Sequence, residues 1–176
     1  MKRFVLTNIE ELKEFLSDFK TSAAFDTETT SLKYIDLEVE GISLCDGNKA
    51  CYMDLTTYPS KTITKIFSLI FGHLNTIVAH NIVYDMKVIH KYGISLKDKK
   101  IYDTMVADHL INENREHGLK FLAKHILGYE EVMSYEEARK KGGDTFIEYA
   151  TNDAMDMGTM YVSTTNNEGT RVSTFV

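Results

Sequence analysis

Cys45 and Cys51 are the only cysteines in 176 residues, and neither lies in a Cys-x-x-Cys or paired Cys/His spacing. No disulfide framework or structural zinc site can be built from them, so two buried thiols in a reducing compartment are expected. Long apolar runs are missing too. None approaches the roughly 18 residues needed to cross a bilayer, and the opening Met1-Lys2-Arg3-Phe4-Val5-Leu6-Thr7 is interrupted at once by Asn8 and Glu10. That start does not read as a secretion signal, and a cytoplasmic protein with no membrane contact is expected. Positive charge is in short supply: 20 Lys and Arg against 26 Asp and Glu leave a net charge of −6. Taken alone, this argues against holding nucleic acid by electrostatics. A chain whose acids bind cations escapes that objection, because part of the excess would then be metal ligands. Repeats and low-complexity tracts are also absent, and the length suits one ordinary domain.

Taken in order, Lys2 to Thr7 reads as a strand. Ile9, Leu12, Phe15, Leu16 and Phe19 follow at helical spacing, with Thr7 or Asn8 as cap. Ser22 to Thr27 is a second strand, and 41–45 and 50–55 form a hairpin about Asp46-Gly47-Asn48. The only proline, Pro59, precedes a helix with Ile63, Ile66, Phe67 and Ile70 on one face. Thr76 to Ala79 is a buried strand that runs into a helix ending near Gly93, and Ile101-Tyr102 is a brief further strand. Helices are expected over 103–111, 118–127, 135–140 and 144–162, then a polar tail over 163–176. The fold expected is α/β, a mixed sheet of about five strands covered by helices.

Within that frame the acids are out of place. Ala24-Phe25-Asp26-Thr27-Glu28 sets two carboxylates, two residues apart, on one face of an otherwise apolar strand. Like charges held there repel and lose hydration unless a cation such as Mg²⁺ or Mn²⁺ lies between them; the plain alternative is a strand ending in a solvated turn. Asn81-x-x-x-Asp85 and Tyr149-x-x-x-Asp153 each place two side chains on one helical face. Read singly, Asp85 and Asp153 are ordinary surface acids. Together and in this order, the three stretches can aim at one point.

These stretches closely resemble the three motifs of the DEDD superfamily of 3′→5′ exonucleases, tyrosine subgroup, and specifically the proofreading domain of family A (polymerase I type) DNA polymerases. The motifs are Phe25-Asp26-Thr27-Glu28-Thr29-Thr30-Ser31-Leu32, Asn81-Ile82-Val83-Tyr84-Asp85 and Tyr149-Ala150-Thr151-Asn152-Asp153-Ala154. Tyr102-Asp103-Thr104-Met105 and Gly118-Leu119-Lys120-Phe121-Leu122-Ala123 match subsidiary segments. The resemblance implies a ribonuclease H-like fold over residues 1–162 and two divalent ions held by Asp26, Glu28, Asp85 and Asp153. It also implies a water positioned by Tyr149 and hydrolysis at the 3′ end of single-stranded or frayed DNA, releasing nucleoside 5′-monophosphates. Thr29, Leu32, Asn81 and Tyr84 would contact the terminal nucleotide, with core packing the alternative for Leu32. Ribonuclease D shares the pattern, so RNA is the alternative substrate.

Lys87, Lys91, Arg115 and Lys120 are candidates for phosphate contact, and Arg139-Lys140-Lys141-Gly142-Gly143 reads as a flexible basic loop that could steer a strand; solvated surface is the alternative for each. The six histidines are scattered, and none is assigned a metal. In the polymerase family a larger domain follows the third motif, whereas 23 residues follow Asp153 here. Expected on this ground are a free-standing exonuclease, one piece of a split polymerase working with a separate polymerase chain, or a nucleic-acid-binding accessory subunit.

Overall fold

The computed structural model describes residues 1–165, with side chains through Tyr161. Its centre is β2 (Ser22–Thr29), whose side chains alternate between two cores. Ala23 and Phe25 enter the larger core and Ala24 the smaller one. Phe25 is fully buried, edge-on to Phe67 and Phe71 at 6.3 and 5.0 Å between ring centroids. Truncating it to alanine removes about 3–5 kcal/mol of burial and packing.

Among the described residues six strands form one sheet: β1 (Lys2–Leu6), β2, β3 (Val39–Cys45), β4 (Lys49–Asp54), β5 (Thr76–Ala79) and β6 (Lys100–Asp103), in the spatial order β1-β4-β3-β2-β5-β6. β2, β3 and β4 run antiparallel as a meander, while β1 pairs parallel with β4, and β5 and β6 parallel with β2 and with each other. The mixed α/β class is as expected, but the strand count is six rather than five. Both short end strands are fully paired along one edge, and four residues of β6 are too few to announce themselves by alternation.

Helices α1 (Ile9–Ser17), α2 (Ser60–His73) and α3 (Ile82–Lys91) cover the larger core. The Asn8 side chain caps α1 by accepting from the Glu11 amide at 2.9 Å, while the Glu11 carboxylate accepts from the Thr7 amide at 2.7 Å. α4 (Thr104–Ile111), α5 (Leu119–Leu127), α6 (Tyr135–Lys141) and α7 (Gly143–Thr165) follow, with α7 packed on the other face of the sheet. Small residues permit that approach: Ala154 on α7 packs with Ala24 and Cys45, Ala150 one turn earlier is fully buried, and a Cβ at Gly158 would lie 3.1 Å from the Cys45 sulfur.

The stretch 139–143 is not a flexible loop. Arg139 to Lys141 form the last turn of α6, where cations favour the helix dipole, and Gly142 and Gly143 adopt φ of 63° and 50° to turn directly into α7. Because α7 continues to Thr165, the polar tail expected over 163–176 lies, from residue 166 on, outside the described residues. Both cysteines are free and buried. Among the described residues no helix is long and apolar enough to cross a membrane.

Candidate active site

Strand alternation sends Asp26 and Glu28 to the α7 side of β2, where Ser43 and Gly41 stand opposite them on β3. Those small partners leave room for acids beneath a helix. Glu28 is buried, with 6% of its surface exposed, and Asp26 is partly buried. A β-bulge interrupts the ladder at this point: Glu28 pairs with Gly41 and Thr29 with Val39, leaving Glu40 as the extra residue. Only glycine fits at position 41, because a Cβ there would collide with the Tyr52 hydroxyl.

Asp85 comes from the opposite face of the sheet. It lies in the first turn of α3, and its Oδ1 accepts from the Thr27 amide at 3.1 Å and the Thr27 hydroxyl at 2.7 Å. Thr27, between the two strand acids, thus draws the helix acid to the same strand end. Asn81 precedes this helix in the left-handed region (φ 62°, ψ 51°), a conformation that asparagine tolerates better than most residues. The Asn81 and Ile82 amides donate to the Asp103 carboxylate at 3.0 and 2.9 Å, and that carboxylate also caps α4 by accepting from Met105 at 2.9 Å.

Asp153 and Tyr149 lie one turn apart on α7 and face Asp26 and Glu28. Asp153 is 7% exposed and pairs with the Lys120 ammonium, which also lies 4.0 Å from the centre of the Tyr149 ring. Lys120 therefore sits within the acidic cluster rather than on a solvated surface.

Crowding and burial act together on these acids. Desolvation, then the charges of Asp85, Glu28 and Asp153, hold Asp26 well above the carboxylate range. Glu28 is pushed up to about 7, by burial first and Asp153 second, against the opposing charges of Lys120 and Arg139. Burial also raises Asp85 to about 7, although the Thr27 hydrogen bonds pull the other way. Burial raises Asp153 against the pull of Lys120, and burial with the Asp153 and Glu28 charges pushes the Tyr149 phenol up, so that it keeps its proton.

Only oxygen donors face this space from the four acids, a set suited to a hard divalent cation, and their mutual repulsion is the condition that a cation relieves. Among the described residues no group of three His, Cys, Asp or Glu is arranged to hold an ion as it stands. Lys120 engages one oxygen of Asp153 and Thr27 one oxygen of Asp85, so each carboxylate keeps lone pairs to offer a cation.

Of the other expected contacts, Leu32 is 86% exposed, which removes the core-packing alternative. The Thr29 and Tyr84 hydroxyls hydrogen-bond to each other, and both lie within reach of the Ser31 carbonyl, at 3.3 and 3.1 Å, closing the turn beside Leu32. The basic candidates separate: Lys91 donates to the Tyr34 and Leu37 carbonyls, Arg115 pairs with Asp108, and Lys87 is exposed. Thr27 and Asp103 lie in the motif segments, but their roles as partners of Asp85 and of the α3 start are not visible in the sequence, because those contacts are distant along the chain. The signal for Asp103 was its place just before a helix, as a cap.

A family profile described as 3′-5′ exonuclease matches residues 4–158. The chain belongs to the 3′-5′ exonuclease family. DNA polymerase I of Aquifex aeolicus is 29% identical to this exonuclease chain over 136 residues, 73% of the chain and 22% of the polymerase. The chain spans about a fifth of the length of the curated polymerases it matches. Among solved structures, RNase D of Escherichia coli, an exoribonuclease involved in structured RNA processing, has a TM-score of 0.68 at 18% identity, covering 93% of this chain and 44% of that one. Brucella melitensis NrnC with bound Mg²⁺ has a TM-score of 0.64 at 18% identity, covering 92% and 77%. These likenesses are of fold: the chain has the ribonuclease H-like architecture of the DEDD exonucleases. Divalent metal cofactors are implied by the family.

Proposed function

We propose that the chain is a metal-dependent 3′-5′ exonuclease that hydrolyses the terminal phosphodiester of single-stranded or frayed DNA and releases nucleoside 5′-monophosphates, with the catalytic unit within residues 1–162. One observation carries the reading: Asp26, Glu28, Asp85 and Asp153 are brought from β2, α3 and α7 to one strand end beside Tyr149, with their carboxyls held above the ordinary range. Acids placed so are unfavourable for stability alone. The polymerase I relatives support DNA as substrate and a polymerase chain as partner.

Asp26, Glu28 and Asp153 would hold one divalent ion, Mg²⁺ or Mn²⁺, and Asp26 with Asp85 a second. When bound, such ions supply charge neutralisation at the phosphate and a lowered pKa for water. The protein's own groups do the positioning. Tyr149 keeps its proton and orients the attacking water by a hydrogen bond rather than deprotonating it. Thr27 holds Asp85, and Lys120 neutralises Asp153 until the carboxylate is needed elsewhere. Leu32 at the mouth offers an apolar wedge to the terminal base, while Thr29 through its backbone, Asn81 and Tyr84 line the approach. Stacking against such groups does not depend on base identity, and a paired end must first open, so a frayed strand is the expected substrate.

The test is cleavage of 5′-labelled single-stranded DNA, duplex DNA and RNA in Mg²⁺, Mn²⁺ or chelator. A ladder shortening from the 3′ end of single-stranded DNA, lost in chelator, is expected. Preference for RNA would transfer the reading to the ribonuclease D type, and tight binding without cleavage in any metal would leave a binding module.

A further inference from the structure

The bulged residue of β3 has a partner outside the four acids. Glu40, forced out of the ladder opposite Glu28 and Thr29, pairs with the Arg139 guanidinium on α6. The Arg139 guanidinium carbon lies 4.9 Å from the Phe146 ring centre and 5.7 Å from that of Tyr135. Those two rings enclose Tyr149: Phe146 stacks on it at 6.3 Å and 18°, and Tyr135 meets it edge-on at 6.2 Å and 68°. The pair lies at the surface, with side-chain exposures of 38% for Arg139 and 18% for Glu40. Bulges near sites re-aim side chains. Here the bulge aims a carboxylate at the helix that braces the tyrosine.

We infer that the Glu40–Arg139 pair is a clamp that fixes α6 against the sheet and so positions the Tyr149 ring for water orientation, making Arg139 a positioning residue of the exonuclease. The inference rests on the proposed reading of the site. α6 has seven residues and one buried side chain, Ala138, so its own burial gives it little hold. The capping box of Ser134 and Glu137 fixes its start, and the two positive-φ glycines fix only the chain direction at its end. The guanidinium is the tie that reaches both the sheet and the rings. Lysine could keep the ion pair but not the flat face that lies against Phe146.

The experiment compares kcat and KM on single-stranded DNA for wild type, Arg139→Gln, Arg139→Lys, the exchange Glu40→Arg with Arg139→Glu, Tyr149→Phe, and Arg139→Gln combined with Tyr149→Phe. It also records the Tyr149 ring signals by NMR with labelled tyrosine, assigned through Tyr149→Phe. Arg139→Gln is expected to lower kcat about tenfold, as a misplaced group does, with KM within about twofold and Tm lower by only a few degrees. Arg139→Lys and the exchanged pair, which keep the ion pair but not the guanidinium against Phe146, recover part of the rate. Added to Tyr149→Phe, Arg139→Gln costs less than about twofold more, because the group it positions is gone. The Tyr149 ring signals move in Arg139→Gln and return part-way in the exchanged pair. Wild-type kcat in Arg139→Gln, a loss confined to KM, a full tenfold loss in the Tyr149→Phe background, or unmoved ring signals would each overturn the clamp. A wild-type protein that releases no nucleotide overturns the exonuclease reading instead, and the ring signals alone then decide whether Arg139 positions Tyr149.

Discussion

Tyr149 keeps its phenolic proton because burial and the neighbouring Asp153 and Glu28 charges oppose its loss. Its contribution is therefore a hydrogen bond, and Tyr149→Phe is expected to slow single-strand cleavage about a hundredfold while leaving divalent-ion affinity, measured by calorimetry, unchanged. Asp26→Ala or Asp153→Ala is expected to abolish turnover, and full activity in purified Asp26→Ala would sink the mechanism. Leu32 is a different case. With 86% of its surface exposed it contributes little to stability, so Leu32→Ala should leave Tm unchanged yet raise KM for single-stranded DNA several-fold, about what a lost apolar contact costs. An unchanged KM would return Leu32 to the ordinary surface.

At the scale of elements, the site depends on how helix starts are fastened. The Asp103 carboxylate takes the Asn81 and Ile82 amides at the start of α3 and the Met105 and Val106 amides at the start of α4. It joins two helices and sets the turn that carries Asp85. Replacing it by alanine removes a cap worth about 1–2 kcal/mol and frees the α3 terminus. A lower urea midpoint and a reduced kcat together are expected for Asp103→Ala. A lowered midpoint with normal kcat would show that Thr27 holds Asp85 by itself.

For the molecule as a whole, the acid cluster makes stability depend on pH in an unusual direction. Glu28 and Asp85 have folded-state values near 7, above those of an unfolded chain, so their contribution is complete at low pH and is lost as pH rises through 7. His80 opposes them: burial lowers it to about 4, and its contribution falls away as pH drops below 6.5. Asp108, lowered by Arg115 and His117 against its burial, matters only below the ordinary carboxylate range. Between pH 8.5 and 6 the carboxyls prevail, and the metal-free protein should gain roughly 1–2 kcal/mol, read as a higher Tm at pH 6. Saturating Mg²⁺ should raise Tm at pH 8.5 and narrow that difference. A metal-free Tm that falls steadily from pH 8.5 to 6 would contradict the account.

The sequence by itself determined the strand and helix periods, the class of the fold and the three acid-bearing motifs, because alternation and helical spacing are local properties and buried-looking acids stand out against apolar neighbours. It could not determine that Lys120 lies among the acids, or that Asp85 approaches from the other face of the sheet through Thr27. Nor could it show that Glu40 is the bulged residue that receives Arg139. Each of these is a contact between residues far apart in sequence, governed by which face of β2 a side chain takes and by how closely α7 can approach Ala24 and Cys45. Only the tertiary structure decided them, since charge and packing act through space while the periodicity of a sequence records one element at a time.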